Sequence, residues 1–98
     1  MVELTRVAAV EHLGARVLRI EFTDAVVREI DFAGALPGIL ASIDEDDVFS
    51  TVSVDQIAGT VSWPNGVDLD PDVLRGIETA SAPGQGRLLR EYRLESAS

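Results

Sequence analysis

Three aspartates alternate at Asp68, Asp70 and Asp72, the spacing with which a calcium-binding loop opens. Such a loop also needs glycine at its sixth position and a bidentate glutamate at its twelfth. Counted from Asp68, those places hold Val73 and Thr79, so the oxygen cage is incomplete. Pro71 gives Asp70 another task. An acidic residue before a proline marks a helix start, where the carboxylate accepts from a free backbone N–H and the proline loses no hydrogen bond. Asp72 then adds favourable charge in the first turn. The reading is a helix cap, with no metal held.

The run Asp44-Glu45-Asp46-Asp47 could dock basic side chains or hold a hard cation weakly. Capping of a helical turn by Asp44 or Asp46, within a solvated loop, explains the same residues. His12 is the sole histidine and could move protons. The chain has no cysteine and no serine in a strand-to-helix elbow, so no nucleophile is evident for it to activate. It reads as a surface or half-buried strand residue. Trp63, Asn65, Gly66 and Asp68 cluster in sequence and could line a pocket, with Asn65 and Asp68 supplying the polar groups. Trp63 is the only tryptophan beside one tyrosine and three phenylalanines, which favours a core anchor. The glycines form neither a dinucleotide fingerprint nor a phosphate loop. No catalytic residue and no cofactor is therefore assigned.

The elements that must position these residues follow from periodicity. Thr51 to Val54 and Thr60 to Trp63 alternate with period two, as strands do. Asp55 to Gly59 suits the hairpin loop between them, and Pro64-Asn65-Gly66 closes the second strand. Leu69 and Leu74 sit where a hydrophobic staple would place them around a helix running from Pro71 to about Ala80. Upstream, Leu4 to Leu13 reads as a strand. Arg16 to Phe22 and Val26 to Phe32 form a hairpin around the tight turn Thr23-Asp24-Ala25, with Leu18, Ile20, Phe22, Ile30 and Phe32 inward. Arg28 shares that inward phase, which requires a sheet edge or a bulge. Leu36, Ile39, Leu40 and Ile43 recur at helical spacing, interrupted by Pro37-Gly38. Ser81 to Gly86 has linker composition. Arg87 to Leu94 then suits a short helix or strand; Arg87, Arg90 and Arg93 could form a short basic contact stripe, but with Glu91 and Glu95 interleaved they read as a solvated face. The expected organisation is one domain over residues 1–80 and an appendage over 81–98.

A strand ending in Trp63-Pro64-Asn65-Gly66, then Val67-Asp68-Leu69-Asp70-Pro71-Asp72 and a leucine, resembles the closing motif of the domain of unknown function (DUF) 2442 family, small bacterial domains of about this length. Phe22-Thr23-Asp24 followed by Val27 to Asp31 is similar to its second hairpin, and Phe49 with Val52 fits its middle. The resemblance spans about Leu4 to Ile77. It departs at Ala25, where the family commonly has glycine. A positive φ there would cost alanine roughly 1 kcal/mol. The resemblance implies an architecture, and no activity. Family genes often sit beside genes for other small proteins in a toxin–antitoxin-like arrangement, which implies a protein partner. Some longer members also carry a helix-turn-helix domain that would bind DNA; the residues after Ile77 are too few for one, so DNA reading is not expected of this chain.

Ninety-eight residues make one domain with a modest core. The formal charge is −9, from seventeen acidic and eight basic residues. That balance disfavours phosphate backbones and anionic membranes, and suits a basic protein partner. A homo-oligomer is equally compatible. No apolar run approaches membrane-spanning length and the amino end lacks a secretion signal pattern, so a cytoplasmic location is expected. The expected fold is α+β: an antiparallel sheet of about five strands with two or three short helices on one face. The expected function is a non-catalytic protein-interaction module. Its candidate contact residues are Trp63, Asn65, Asp68, Asp44, Glu45, Asp46 and Asp47. The alternative is an enzyme or small-ligand binder with its pocket around Trp63, Asn65 and Asp68.

Overall fold

Alternating apolar and polar side chains set the first three strands of the computed structural model, which describes residues 5–76 and 85–94. Strand β1 runs Val7–Gly14, β2 Val17–Phe22 and β3 Val26–Asp31, joined by tight turns into an antiparallel meander. Leu18, Ile20, Phe22 and Ile30 point inward and are essentially inaccessible. The β2–β3 turn places Ala25 at φ +71°. The position where the family has glycine thus does demand the left-handed region, and this chain meets it with alanine.

After β3 the period changes. Pro37 precedes a 3-10 helix, Gly38–Ile43, as the residue before its first turn. Leu36, Leu40 and Ile43 enter the core, as their spacing requires. Helix α1, Asp46–Phe49, is a single turn. Neither Asp44 nor Asp46 caps it: Glu45 is the cap residue, and its side chain makes no capping hydrogen bond. Strands β4, Ser53–Asp55, and β5, Thr60–Ser62, form the expected hairpin. Helix α2, Pro71–Arg75, starts as anticipated, with Asp70 Oδ1 accepting from the Asp72 N–H at 2.8 Å. It stops at Gly76, whose φ of +85° is left-handed. The expected continuation toward Ala80 lies outside the described residues.

The last described element is β6, Arg87–Arg93, an antiparallel strand on β3. Of the short helix or strand expected over Arg87 to Leu94, the chain takes the strand, which extends the sheet. Its seat is close: a Cβ at Gly86 would meet Ile30 Cγ2 at 2.6 Å and the Asp31 carbonyl at 2.7 Å. Val27, on the outer face, is buried to 2% exposure because β6 sets Tyr92 opposite it.

The expectation of one sheet of about five strands is thus corrected. The described residues form a four-stranded sheet, β1-β2-β3-β6, and a separate two-stranded sheet, β4-β5. The hairpin and the short helical turns together cover the inner face, where the expectation had helices alone. Phe32, Phe49, Val61, Trp63, Leu69 and Leu74 join the meander's apolar residues in one core. Each such side chain removed from water stabilises the fold by about 1.5–3 kcal/mol before entropy is counted. Among the described residues no helix is long and apolar enough to cross a membrane.

Candidate functional site

The central stretch folds as a turn whose polar groups hold the turn itself. The Trp63 N–H donates to the Val67 carbonyl at 2.9 Å, and the Gly66 N–H to the Trp63 carbonyl at 3.0 Å. Asn65 Oδ1 accepts from the Val67 N–H at 3.1 Å, while its Nδ2 donates to Ser42 Oγ at 3.2 Å. Asp68 is exposed and bridges back to Ser62. Leu40, Ser42, Asn65, Gly66, Val67 and Asp68 line an open cleft of about 520 Å³. Trp63 is not in its wall. The indole is 3% exposed, tilts against Phe49 with centroids 5.6 Å apart, and donates Nε1–H to the Phe49 carbonyl at 3.0 Å. Sequence clustering therefore joined two environments: a core anchor, and a surface turn made of its neighbours.

The acid run is likewise divided. Arg16 reaches across from the β1–β2 turn to Asp44 Oδ1 at 2.8 Å and Asp46 Oδ1 at 2.7 Å. The two carboxylates, Asp46 foremost, hold the Arg16 pKa above its ordinary value. The guanidinium also lies over the Phe49 ring at 5.5 Å. Glu45 and Asp47 are exposed and face solvent. His12 is half-buried: its ring meets the edge of Phe49 and its Nε2 lies 2.9 Å from the Ala15 carbonyl.

Two arginines tie α2 to the sheet: Arg28, whose inward phase the sequence marked, and Arg75, which it did not. Arg75 makes a two-pronged pair with Asp24, and Arg28 Nη1 donates to the Arg75 carbonyl at the end of α2 while pairing with Glu91 at 2.9 Å. A cation there meets the negative end of the helix. Its inward phase on β3 was the sequence signal; what it answers to, an open helix end, was not visible along the chain. Arg75 also draws the Asp24 pKa below its ordinary value. Arg28 Nε is buried without a protein partner.

The outer face of the large sheet carries a cross-strand row of alternating sign. Register aligns Glu11, Arg19, Glu29 and Arg90 across all four strands. Arg19 is bonded to Glu11, while Arg90 and Glu29 stand 3.8 Å apart. The next row holds Ala9, Glu21, Val27 and Tyr92. Beyond it, β6 has β3 on one side only. Its outer row of backbone N–H and C=O groups faces no strand among the described residues. Leu88, Leu89 and Leu94 are 42–46% exposed along it. Among the described residues no three histidine or carboxylate side chains converge as a metal site would require.

A family model described as a protein of unknown function, DUF2442, matches residues 7–80. That is most of the chain. The protein belongs to the DUF2442 family. Searches among curated proteins and among solved structures return no match. The DUF2442 match takes in the meander, the β4–β5 hairpin and the Trp63–Asp72 motif, and it ends before β6. The strand that completes the sheet in this DUF2442 domain is therefore outside the part matched to the family.

Proposed function

We propose that this DUF2442 domain is a non-catalytic protein-interaction module, and that it serves as one member of a toxin–antitoxin-like pair. The observation that carries the reading is the edge of β6, an exposed strand with leucines along it and a backbone row that meets no other strand among the described residues. Sheet edges of this kind accept partners by strand addition. The polar residues that could do chemistry support the reading from the other side. Asp70 is used as a cap, Asn65 in a turn, Asp44 and Asp46 on Arg16, and His12 at a backbone carbonyl.

A basic partner drawn by the chain's −9 charge would meet only Glu45 and Asp47 unengaged at the acid run, which makes that run the weaker of the two surfaces. The open cleft beside Asn65 supports a second reading, a small-ligand site with Leu40 and Val67 as apolar wall and Asp68 and the Ser42 hydroxyl as its polar groups.

Reciprocal purification tests the main reading. The full chain, tagged and expressed at its native level in its own host, should bring down one protein in fixed proportion. Tagging that protein should recover the chain. Expression of the partner alone should slow growth, and co-expression should relieve it. Recovery of the chain alone, as a monomer at physiological salt, would overturn the reading.

A further inference from the structure

We infer that β6 receives an extended acidic segment of a partner protein, which joins the four-stranded sheet as a fifth strand. The inference rests on the interaction-module reading and names the chemistry of the occupant. Three of the chain's eight basic residues, Arg87, Arg90 and Arg93, lie on this strand beside one carboxylate, Glu91. Arg28 already pairs with Glu91 at 2.9 Å. A molecule of net charge −9 thus carries a run of arginines on β6, one of the two edge strands of its four-stranded sheet.

Two of the arginines are exposed and loosely held, Arg90 with its guanidinium 4.5 Å from the Tyr92 ring centroid. The Arg87 and Arg90 side chains are 77% and 65% exposed, and their pairs with Asp31 and Glu29 are long, at 3.6 and 3.8 Å. Both sit on the outer face, opposite those carboxylates across the register. A strand laid along β6 would place every second side chain beside them, while its alternate side chains lie on the Leu88 side. Main-chain hydrogen bonds then supply affinity and the alternating side chains supply selection. Carboxylates at the outer positions would meet opposite charge, and lysines would meet like charge, which is unfavourable between directly opposed strand residues. A second copy joined edge to edge would set two arginine-rich strands against each other, so the charge pattern favours a different chain.

The test uses the full chain and three short fluorescent peptides. One alternates valine with glutamate, one alternates valine with lysine, and one is the glutamate peptide N-methylated at every second residue. Anisotropy should show saturable binding of the glutamate peptide, about tenfold tighter than the lysine peptide and weakening with salt, as expected of charge selection at an interface. N-methylation should abolish binding, because it removes ladder donors and leaves charge intact. The Arg87→Gln, Arg90→Gln double variant, shown folded by its melting curve, should lose the preference for glutamate. Equal binding of both unmethylated peptides, binding of neither, or unimpaired binding of the methylated one would each overturn the inference. So would concentration-dependent dimers that the double variant dissolves, which would give the edge to a second copy. Should the glutamate peptide fail while reciprocal purification still recovers a partner, this inference falls and the interaction-module reading stands.

Discussion

Asp24 and Arg75, far apart in sequence, face each other as a two-pronged pair: Nη1 donates to Oδ1 at 2.9 Å and Nη2 to Oδ2 at 2.8 Å. The guanidinium also lies 5.1 Å from the Phe22 ring centroid. The contact pins the end of α2 to the β2–β3 turn. Its hydrogen bonds to the charged carboxylate are what lower the Asp24 pKa. A carboxylate whose folded pKa lies below its unfolded value contributes stability that is present above the unfolded pKa, about 3.9, and is lost as pH falls through the folded one. Urea melts between about pH 5 and pH 2 should show that loss. Asp24→Asn should be less stable at pH 5 and should flatten the acid slope. An unchanged slope in the variant would place the acid sensitivity elsewhere.

Trp63→Ala should cost about 3–5 kcal/mol, the usual range for removing a buried aromatic side chain. Phe49 loses a ring neighbour, and its carbonyl loses the indole donor. Equilibrium denaturation measures the loss. Native tryptophan emission, reporting this single side chain, should be blue-shifted, and a water-like maximum would contradict the burial.

Two positions with left-handed backbone should respond in opposite directions. Ala25→Gly relieves a φ of +71° and should stabilise the fold by up to about 1 kcal/mol, somewhat offset by the greater freedom of unfolded glycine. Gly76→Ala should destabilise by more than about 1 kcal/mol. It adds strain at φ +85°, and its Cβ would meet Arg28 Nη1 at 2.8 Å. Thermal melts of the two variants check both signs.

Ending the chain after residue 84 should do more than shed a tail. It would leave β3 as the edge, uncover Val27 and strip Glu91 from Arg28. The loss should be at least about 1.5 kcal/mol, the lower figure for uncovering an aliphatic side chain of this size. Chemical denaturation of residues 1–84 beside the full chain measures it. Equal stabilities would mean that β6 rests on the sheet without supporting it.

What was legible in the sequence was local. Alternation in β2 and β3, the proline before the 3-10 helix, the Asp70-Pro71 cap and the Pro64-Asn65-Gly66 turn are each fixed by neighbours within a few residues. The family's motif was legible for the same reason. The division of the strands into two sheets was not, because pairing of β6 with β3 depends on residues far apart in the chain. Nor is β6 clearly marked: Leu88 and Leu89 are adjacent, and a register shift between Glu29 and Ile30 breaks the alternation. The candidate site suffered likewise. Trp63 and Asn65 are near neighbours in sequence, yet one is core and the other surface. Asp44 and Asp46 were visible as acids, whereas Arg16, which engages them, lies 28 and 30 residues earlier in the chain.

Residues 32–86 separate β3 from the strand beside it. The meander can close through turns of a few residues, whereas β6 must wait until that long excursion has brought its ends together, at a larger loop-closure cost. Loop closure therefore favours the meander before β6, and a strand this exposed, paired on one side only, is expected to open locally before its neighbours. Hydrogen exchange should accordingly be fastest in β6 among the strands of the large sheet. An occupant of that edge would then act as a latch. By binding only the docked strand it would slow the strand's departure, and the stability of this domain would rise with the concentration of its partner.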